Sequence, residues 1–219
     1  MSASGLAAVW AVENTRESIL EAMKRREVYA TTGPRIGVQF FAGGQIDPSL
    51  LDATDVYQAA TAVGVPMGGE FSGLTGNSPS FLVRATKDPL GANLDRIQIV
   101  KGWLDAGGQL HEQVFDVAWS PGRQPDASGQ LPPVGDTVNR ASVSYANTIG
   151  APELATVWRD PTFVADQPAF YYARVLQIPT PRHSLYDAIA LGLEGADGHP
   201  DAIQERAYTS PIWYRPQSN

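Results

Sequence analysis

Residues 97–119, which read IQIVKGWLDAGGQLHEQVFDVAW, decide the fold of this chain. Apolar and polar side chains alternate on both sides of a short loop that contains Gly107 and Gly108, and a period of two is typical of β-strands. The loop is short enough for a tight turn, so the segment predicts a β-hairpin. In its first strand Lys101 shares a face with Ile99.

The same alternation recurs over much of the remaining chain. It predicts further strands at residues 36–40, 81–85, 143–147 and 169–178. Glycine and proline contribute 21 and 17 of the 219 residues, which favours turns over long helices. We expect no helix between these strands and an irregular loop at residues 122–136. The pattern predicts a mainly β protein folded as an antiparallel β-sandwich.

The first 34 residues follow a different pattern. An apolar run at residues 6–12 predicts a buried strand, and a helix follows with Asn14 as its cap and Glu17 in capping-box position. Residues 28–32 are expected to be extended. We therefore divide the chain into one βα unit at residues 1–34 and a sandwich at residues 35–219. A second, short helix is expected after Ser184, with that serine as its cap.

Composition excludes several classes of function. The formal net charge is -7 and the sequence pI is about 4.9, which argues against a nucleic-acid-binding surface. No apolar stretch is long enough to span a membrane and no signal peptide is recognised, so we expect a soluble protein whose localisation stays unknown. The chain has no cysteine, which removes thiolate nucleophiles and disulfides.

Motifs for metal binding and nucleophilic catalysis are not found in the sequence. The three histidines, His111, His183 and His199, form no local ligand pair, and His111 is expected to face solvent. There is no nucleophile elbow and no phosphate-binding loop. We expect no metal ion and no other cofactor on this chain.

Two turns carry clusters of hydroxyl and basic side chains. The first holds Thr31, Thr32 and Arg35, and the second holds Arg182, His183, Tyr186 and Asp187. An arginine in a rigid turn suits a carboxylate or phosphate group. The alternative is that each arginine pairs with a nearby acidic residue and fixes its loop, Asp187 being the nearest partner for Arg182.

Four stretches resemble a known family. They are GLAAVWAVENTRESILEAMKRREVYATTGPR at residues 5–35, KDPLGANLDRIQIVKGW at 87–103, YYARVLQIPTPR at 171–182 and QERAYTSPIWY at 204–214. They are similar to the C-terminal part of the bacterial family catalogued as domain of unknown function 3604. The last stretch adds Glu205 and Arg206 to the candidate site. His183 departs from the family pattern, in which a tryptophan is more usual at this point.

The resemblance implies a PHP-like metal-dependent hydrolase of esters or phosphoesters. Its members carry divalent metal ligands on an N-terminal PHP-like barrel. Those ligand motifs lie upstream of the aligned part, so no residue here inherits a ligand role. The βα unit is then the end of that barrel, and the chain is expected to be an accessory or structural domain, so whether it is itself an enzyme stays open.

Two other functions remain open at this point. One is a stand-alone phosphoesterase or esterase that uses arginine and carboxylate groups. The other is a carbohydrate- or ligand-binding module with Trp103, Trp119 and Trp158 as a stacking platform, unless these rings fill the core. For partners, we expect a homo-oligomer that covers the apolar face between Leu6 and Met23, and neither nucleic acid nor a membrane.

Overall fold

Two mainly antiparallel sheets form the protein in the computed structural model, which describes residues 4–72, 78–195 and 198–217. The strands of the larger sheet are β1 (Leu6–Val9), β2 (Val28–Thr31), β5 (Glu70–Ser72), β7 (Leu94–Leu104), β8 (Leu110–Trp119), β10 (Ala169–Gln177), β13 (Arg206–Thr209) and β14 (Ile212–Arg215). The smaller sheet contains β3 (Gly37–Gly43), β4 (Val65–Pro66), β6 (Ser80–Thr86) and β9 (Glu153–Arg159). Two further short strands, β11 (Thr180–Pro181) and β12 (Ala202–Ile203), pair with each other. The predicted mainly β, antiparallel sandwich is confirmed.

Strand β10 lies at the centre of the larger sheet. One edge of β10 pairs with β7, which in turn pairs with β8. The other edge of β10 pairs with both β13 and β14. These pairings are antiparallel, whereas β14 and β5 run parallel. The hairpin of β7 and β8 forms at the predicted place, with Gly108 at a φ of 78° in its loop, a conformation that favours glycine.

The main core lies between the two sheets. Fully buried side chains from the smaller sheet, such as Phe40 and Phe81, meet Ile99, Tyr171 and Val175 of the larger one. Phe81 and Tyr171 approach to 4.4 Å between ring centroids. Burying a side chain of this size stabilises the fold by roughly 1.5–3 kcal/mol. The alternation along each strand places these residues on the facing sides of the two sheets. Their burial therefore holds the sheets together.

Helices cover the outer face of the smaller sheet. A 3-10 helix (Pro48–Asp52) and α2 (Val56–Val63) enclose a second cluster with Phe41 and Leu82. Our expectation of no helix between the strands is wrong here. Val56 and Ala60 lie about one turn apart on α2, and both are buried. The apolar residues of this segment therefore follow the period of a helix, whereas we expected only turns here.

Three local predictions need correction. The first helix, α1 (Arg16–Lys24), is capped by Thr15, whose hydroxyl accepts from the Ser18 amide, and not by Asn14. The later helix, α3 (His183–Ala190), already includes Ser184, and its N-cap is Arg182 without a side-chain cap. Residues 143–147 form no strand, because the backbone turns at Val143, which has a φ of 49°.

The first strand, helix and second strand are present within the described residues. The strand predicted at residues 6–12 is shorter, Leu6–Val9, and it is not buried, because it lies at the edge of the sheet with Leu6 40% exposed. Strand β1 pairs antiparallel with β2, and β2 pairs with β13, so the unit extends the larger sheet. The division at residue 34 stays a prediction. No helix in the described part of the chain is long and apolar enough to cross a membrane.

Candidate functional site

Two β-bulges place polar side chains together on the outer face of the larger sheet. In β7, Arg96 pairs with Leu176 and Leu94 with Gln177, so Asp95 is an extra residue between them. In β8, Val117 is skipped in the same way. A bulge interrupts strict alternation and turns a side chain toward the other face. This allows the adjacent Asp95 and Arg96 to border the same cavity.

Asp95 is the centre of a charged network, and only 1% of its side chain is exposed. Its Oδ1 accepts from Arg123 Nη2 at 2.6 Å, and its Oδ2 accepts from Arg96 Nε at 3.1 Å and from Gln204 Nε2 at 2.8 Å. These charge-assisted hydrogen bonds compensate the carboxylate for the hydration that it loses on burial.

Arg96 connects this centre to a second carboxylate. Its Nη1 donates to Asp116 Oδ2 at 3.1 Å, and Gln98 Nε2 donates to Asp116 Oδ1 at 2.8 Å. Gln98 in turn accepts from Arg174 Nε at 2.7 Å. The side chains of three neighbouring strands are thus fixed by one another.

The loop at residues 122–136 forms the roof of the cavity. Arg123 fastens it, since Nη1 donates to the Pro132 carbonyl at 2.9 Å while Nη2 binds Asp95. Leu131 within the loop is buried, and Pro133 and Val134 give the cavity an apolar wall. The predicted irregular excursion is therefore anchored, although its backbone has no regular structure.

The cavity is partly open to solvent and has a volume of about 460 Å³. Among the described residues, two buried side-chain nitrogen atoms have no hydrogen-bond partner, Arg123 Nε and Gln177 Nε2, and neither residue lines the cavity itself. The Gln177 carbonyl accepts from Gln204, which lines the cavity. An unsatisfied buried donor costs about 1–3 kcal/mol, so such groups ordinarily find water or a ligand.

The structure brings three of the sequence-predicted residues together beside this network. The Thr32 hydroxyl donates to the Glu205 carboxylate and accepts from the Arg206 amide at 2.9 Å. Arg206 Nε donates to the Gln204 carbonyl at 3.3 Å, which links the trio to the cavity. Thr31 is buried, and its hydroxyl accepts from the Gly33 amide at 3.3 Å.

The remaining predicted residues lie elsewhere. The Arg35 amide donates to Asp88 Oδ2 at 2.7 Å, and this bond lowers the pKa of the Asp88 carboxyl. The Arg182 amide donates to the Asp201 carbonyl at 2.8 Å. On α3, the rings of His183 and Tyr186 lie 6.1 Å apart, and Asp187 is on the same helix.

The sequence did not identify the residues that line the cavity. They come from β7, β8, the roof loop and the segment before β13, and the polar ones are Asp95, Arg96, Gln98, Asp116, Gln130 and Gln204. Their separation in sequence gives no local motif. The one available signal is the run Leu94-Asp95-Arg96, where two charges interrupt an otherwise apolar strand.

The three tryptophans are partly buried. Trp103 and Trp158 pack against the main core, and Trp119 Nε1 donates to the Arg123 carbonyl at 3.1 Å. His111 is exposed as predicted, stacks on Trp103 and contacts Asp105 Oδ2 at 2.7 Å. Over residues 4–72, 78–195 and 198–217 there is no group of three His, Cys, Asp or Glu side chains that could hold a metal ion.

Comparison with known families gives one match. A family model described as "Protein of unknown function (DUF3604)" matches residues 1–216. The chain belongs to the DUF3604 family. Neither the curated proteins nor the solved structures contain a match to it. Membership of DUF3604 names no activity, so the function has to be argued from the residues.

Proposed function

We propose that this chain is an accessory β-sandwich domain of a PHP-like metal-dependent hydrolase that acts on esters or phosphoesters. In this proposal it has no metal site of its own and is the C-terminal part of that hydrolase. It contributes binding and structural groups while a PHP-like barrel contributes the metal ions. The support from the sequence is the resemblance of residues 5–35 to the end of such a barrel.

The interlocked trio of Thr32, Glu205 and Arg206 is the observation that carries this proposal. Each of these polar groups is bonded to another within the trio, where β2 joins β13. Their contacts fasten the first strand–helix–strand unit to the sandwich. Residues that resemble the end of a catalytic barrel are thus continuous with the larger sheet, which suits a domain that supports a neighbouring catalytic part.

The test combines metal analysis with hydrolysis assays. The purified chain is assayed on an aryl phosphoester and an aryl ester, with added Zn²⁺, Mn²⁺ or Mg²⁺ and with a chelator, and its metal content is measured. We expect no stoichiometric metal and no chelator-sensitive turnover. Stoichiometric metal together with chelator-sensitive turnover would contradict the proposal.

A metal-independent turnover would favour the stand-alone hydrolase instead. That alternative uses Arg35 or Arg182, so Arg35→Gln or Arg182→Gln should abolish the activity. Arg159→Gln is the matched control, because Arg159 is an exposed arginine at the end of β9. Equal activity in all three variants would mean that the turnover comes from a contaminant.

We further propose that the apolar face near α1 is covered by a second copy of the chain. Leu20 and Met23 are each 49% exposed on α1, and Leu6 is 40% exposed on β1. Sedimentation should show a dimer that Leu20→Glu dissociates. Leu191→Glu is the control at a more exposed leucine (76%), and a monomeric wild-type chain would contradict the proposal.

A further inference from the structure

We infer that the cavity under the loop at residues 122–136 binds a small neutral polyhydroxy compound, such as a monosaccharide. Its volume of about 460 Å³ lies in the range of small-molecule sites. The site is made only of residues of this chain, so the inference does not depend on the hydrolase proposal.

The balance of charge points to a neutral ligand. The two carboxylates at the cavity, Asp95 and Asp116, are matched by the two guanidinium groups of Arg96 and Arg123 that bond them. An anionic ligand would have to compete with both carboxylates for the guanidinium groups. A cationic ligand would lie against arginines that are already paired. Neither charge is favoured in a partly enclosed site.

The shape of the polar groups points to hydroxyls. Carboxylate, guanidinium and carboxamide groups are planar, and each offers donors or acceptors side by side. Neighbouring hydroxyls of a polyol also lie side by side, and each can both donate and accept. Gln98 and Gln204 add carboxamides to the wall, so the cavity offers donors and acceptors together.

The remaining wall suits the carbon skeleton of such a compound. Leu131, Pro133, Val134 and Pro179 supply apolar surface on the roof and one side. Small-molecule sites commonly combine an apolar wall with a few fixed polar groups.

The polar wall of the cavity is rigid, which favours the binding of a ligand over filling by water alone. Asp95, Arg96, Gln98 and Asp116 are fixed by bonds to one another before any ligand arrives. Groups that are already oriented lose little freedom on binding. The bulge at Asp95 has the effect of turning a charged side chain away from the sandwich core toward this cavity.

The test uses three six-carbon compounds that differ in charge: D-glucose, D-gluconate and D-glucosamine. Binding to the full chain is measured by saturation-transfer NMR and titrated for affinity. We expect glucose to bind in the millimolar range and the two charged compounds to bind more weakly. Stronger binding of gluconate or glucosamine, or no transfer to glucose, would overturn the inference.

Two variants locate the binding. Gln98→Leu removes a carboxamide from the cavity wall and should weaken glucose binding about tenfold or more. Gln113→Leu is its control, an exposed glutamine on the neighbouring strand β8. Val134→Trp should block the cavity without breaking the charged network, and unchanged unfolding transitions show that the variants are folded. Wild-type affinity in both Gln98→Leu and Val134→Trp would place the binding elsewhere and refute the site.

Discussion

Strand β7 carries buried charges at both ends, and the two ends differ in what surrounds them. At one end Lys101 pairs with Asp160, with side-chain exposures of 2% and 0%. At the other end Asp95 pairs with Arg96 and Arg123 beside a cavity. We call the first the closed cluster and the second the open cluster. Burial of charge is common to both, so burial alone does not mark a binding site.

The two clusters differ in the space that adjoins them. Lys101 Nζ donates to Asp160 Oδ2 at 2.7 Å, to the Thr162 carbonyl at 2.9 Å and to the Thr162 hydroxyl at 3.1 Å, which uses all three of its hydrogens. Asp160 also accepts from the Tyr171 hydroxyl at 2.8 Å. The closed cluster is therefore complete in itself. The open cluster instead borders a cavity of about 460 Å³, which gives a ligand space beside its polar groups.

The largest expected effect is the loss of Lys101. Lys101→Met leaves the Asp160 carboxylate buried without its counter-ion, so we expect the free energy of unfolding to fall by about 3–5 kcal/mol. Denaturant unfolding measures the change. Lys24→Met is the control, because its partner Glu21 and Lys24 itself are both exposed, and it should leave the midpoint unchanged. A small effect of Lys101→Met would mean that water enters the closed cluster.

The corresponding change in the open cluster should cost less. Arg123→Met removes one of several partners of Asp95, and the cavity can supply water in its place. We expect a loss of about 1–3 kcal/mol, together with faster proteolysis within residues 122–136, since the Pro132 contact is lost as well. A loss equal to that of Lys101→Met would contradict the distinction between the clusters.

Alkaline pH should act on the closed cluster through Tyr171. Burial, followed by the charge of Asp160, raises the pKa of the Tyr171 phenol above its ordinary value of 10.0. The unfolded chain releases this proton near pH 10 while the folded chain keeps it. Stability is therefore full below pH 10 and falls as pH rises, by about 1.4 kcal/mol per pH unit for each such tyrosine.

Unfolding measured across this range, with tyrosinate absorbance followed in parallel, checks the effect. Burial also raises the pKa of Tyr57, so a slope remains when Tyr171 is replaced. Tyr171→Phe should nevertheless reduce the slope of stability against pH by the contribution of one tyrosine, about 1.4 kcal/mol per pH unit. An unchanged slope in this variant would mean that Tyr171 titrates normally.

The sequence was sufficient for the sandwich but not for the cavity. Alternation predicts the β7–β8 hairpin, and it correctly puts Lys101 on the face of Ile99. It cannot show the extra residue at Asp95, because a bulge depends on the pairing partner. By simple alternation Asp95 would face the core, and the open cluster would not exist.

Local capping and loop structure were harder to predict for similar reasons. Asn14 and Thr15 are adjacent and both suit a helix cap, so one residue of backbone geometry decides between them. Within residues 122–136 the sequence indicates turns, whereas the anchoring by Arg123 depends on a carboxylate 28 positions away. The candidate trio likewise joins Thr32 to Glu205 across 173 positions.

The most direct test is an amide NMR map of the labelled chain titrated with D-glucose. It compares the open and closed clusters within one molecule. We expect shifts that saturate at Asp95, Arg96 and Gln204, with none at Lys101 or Asp160. Shifts confined to the closed cluster, or spread without saturation over the surface, would contradict it.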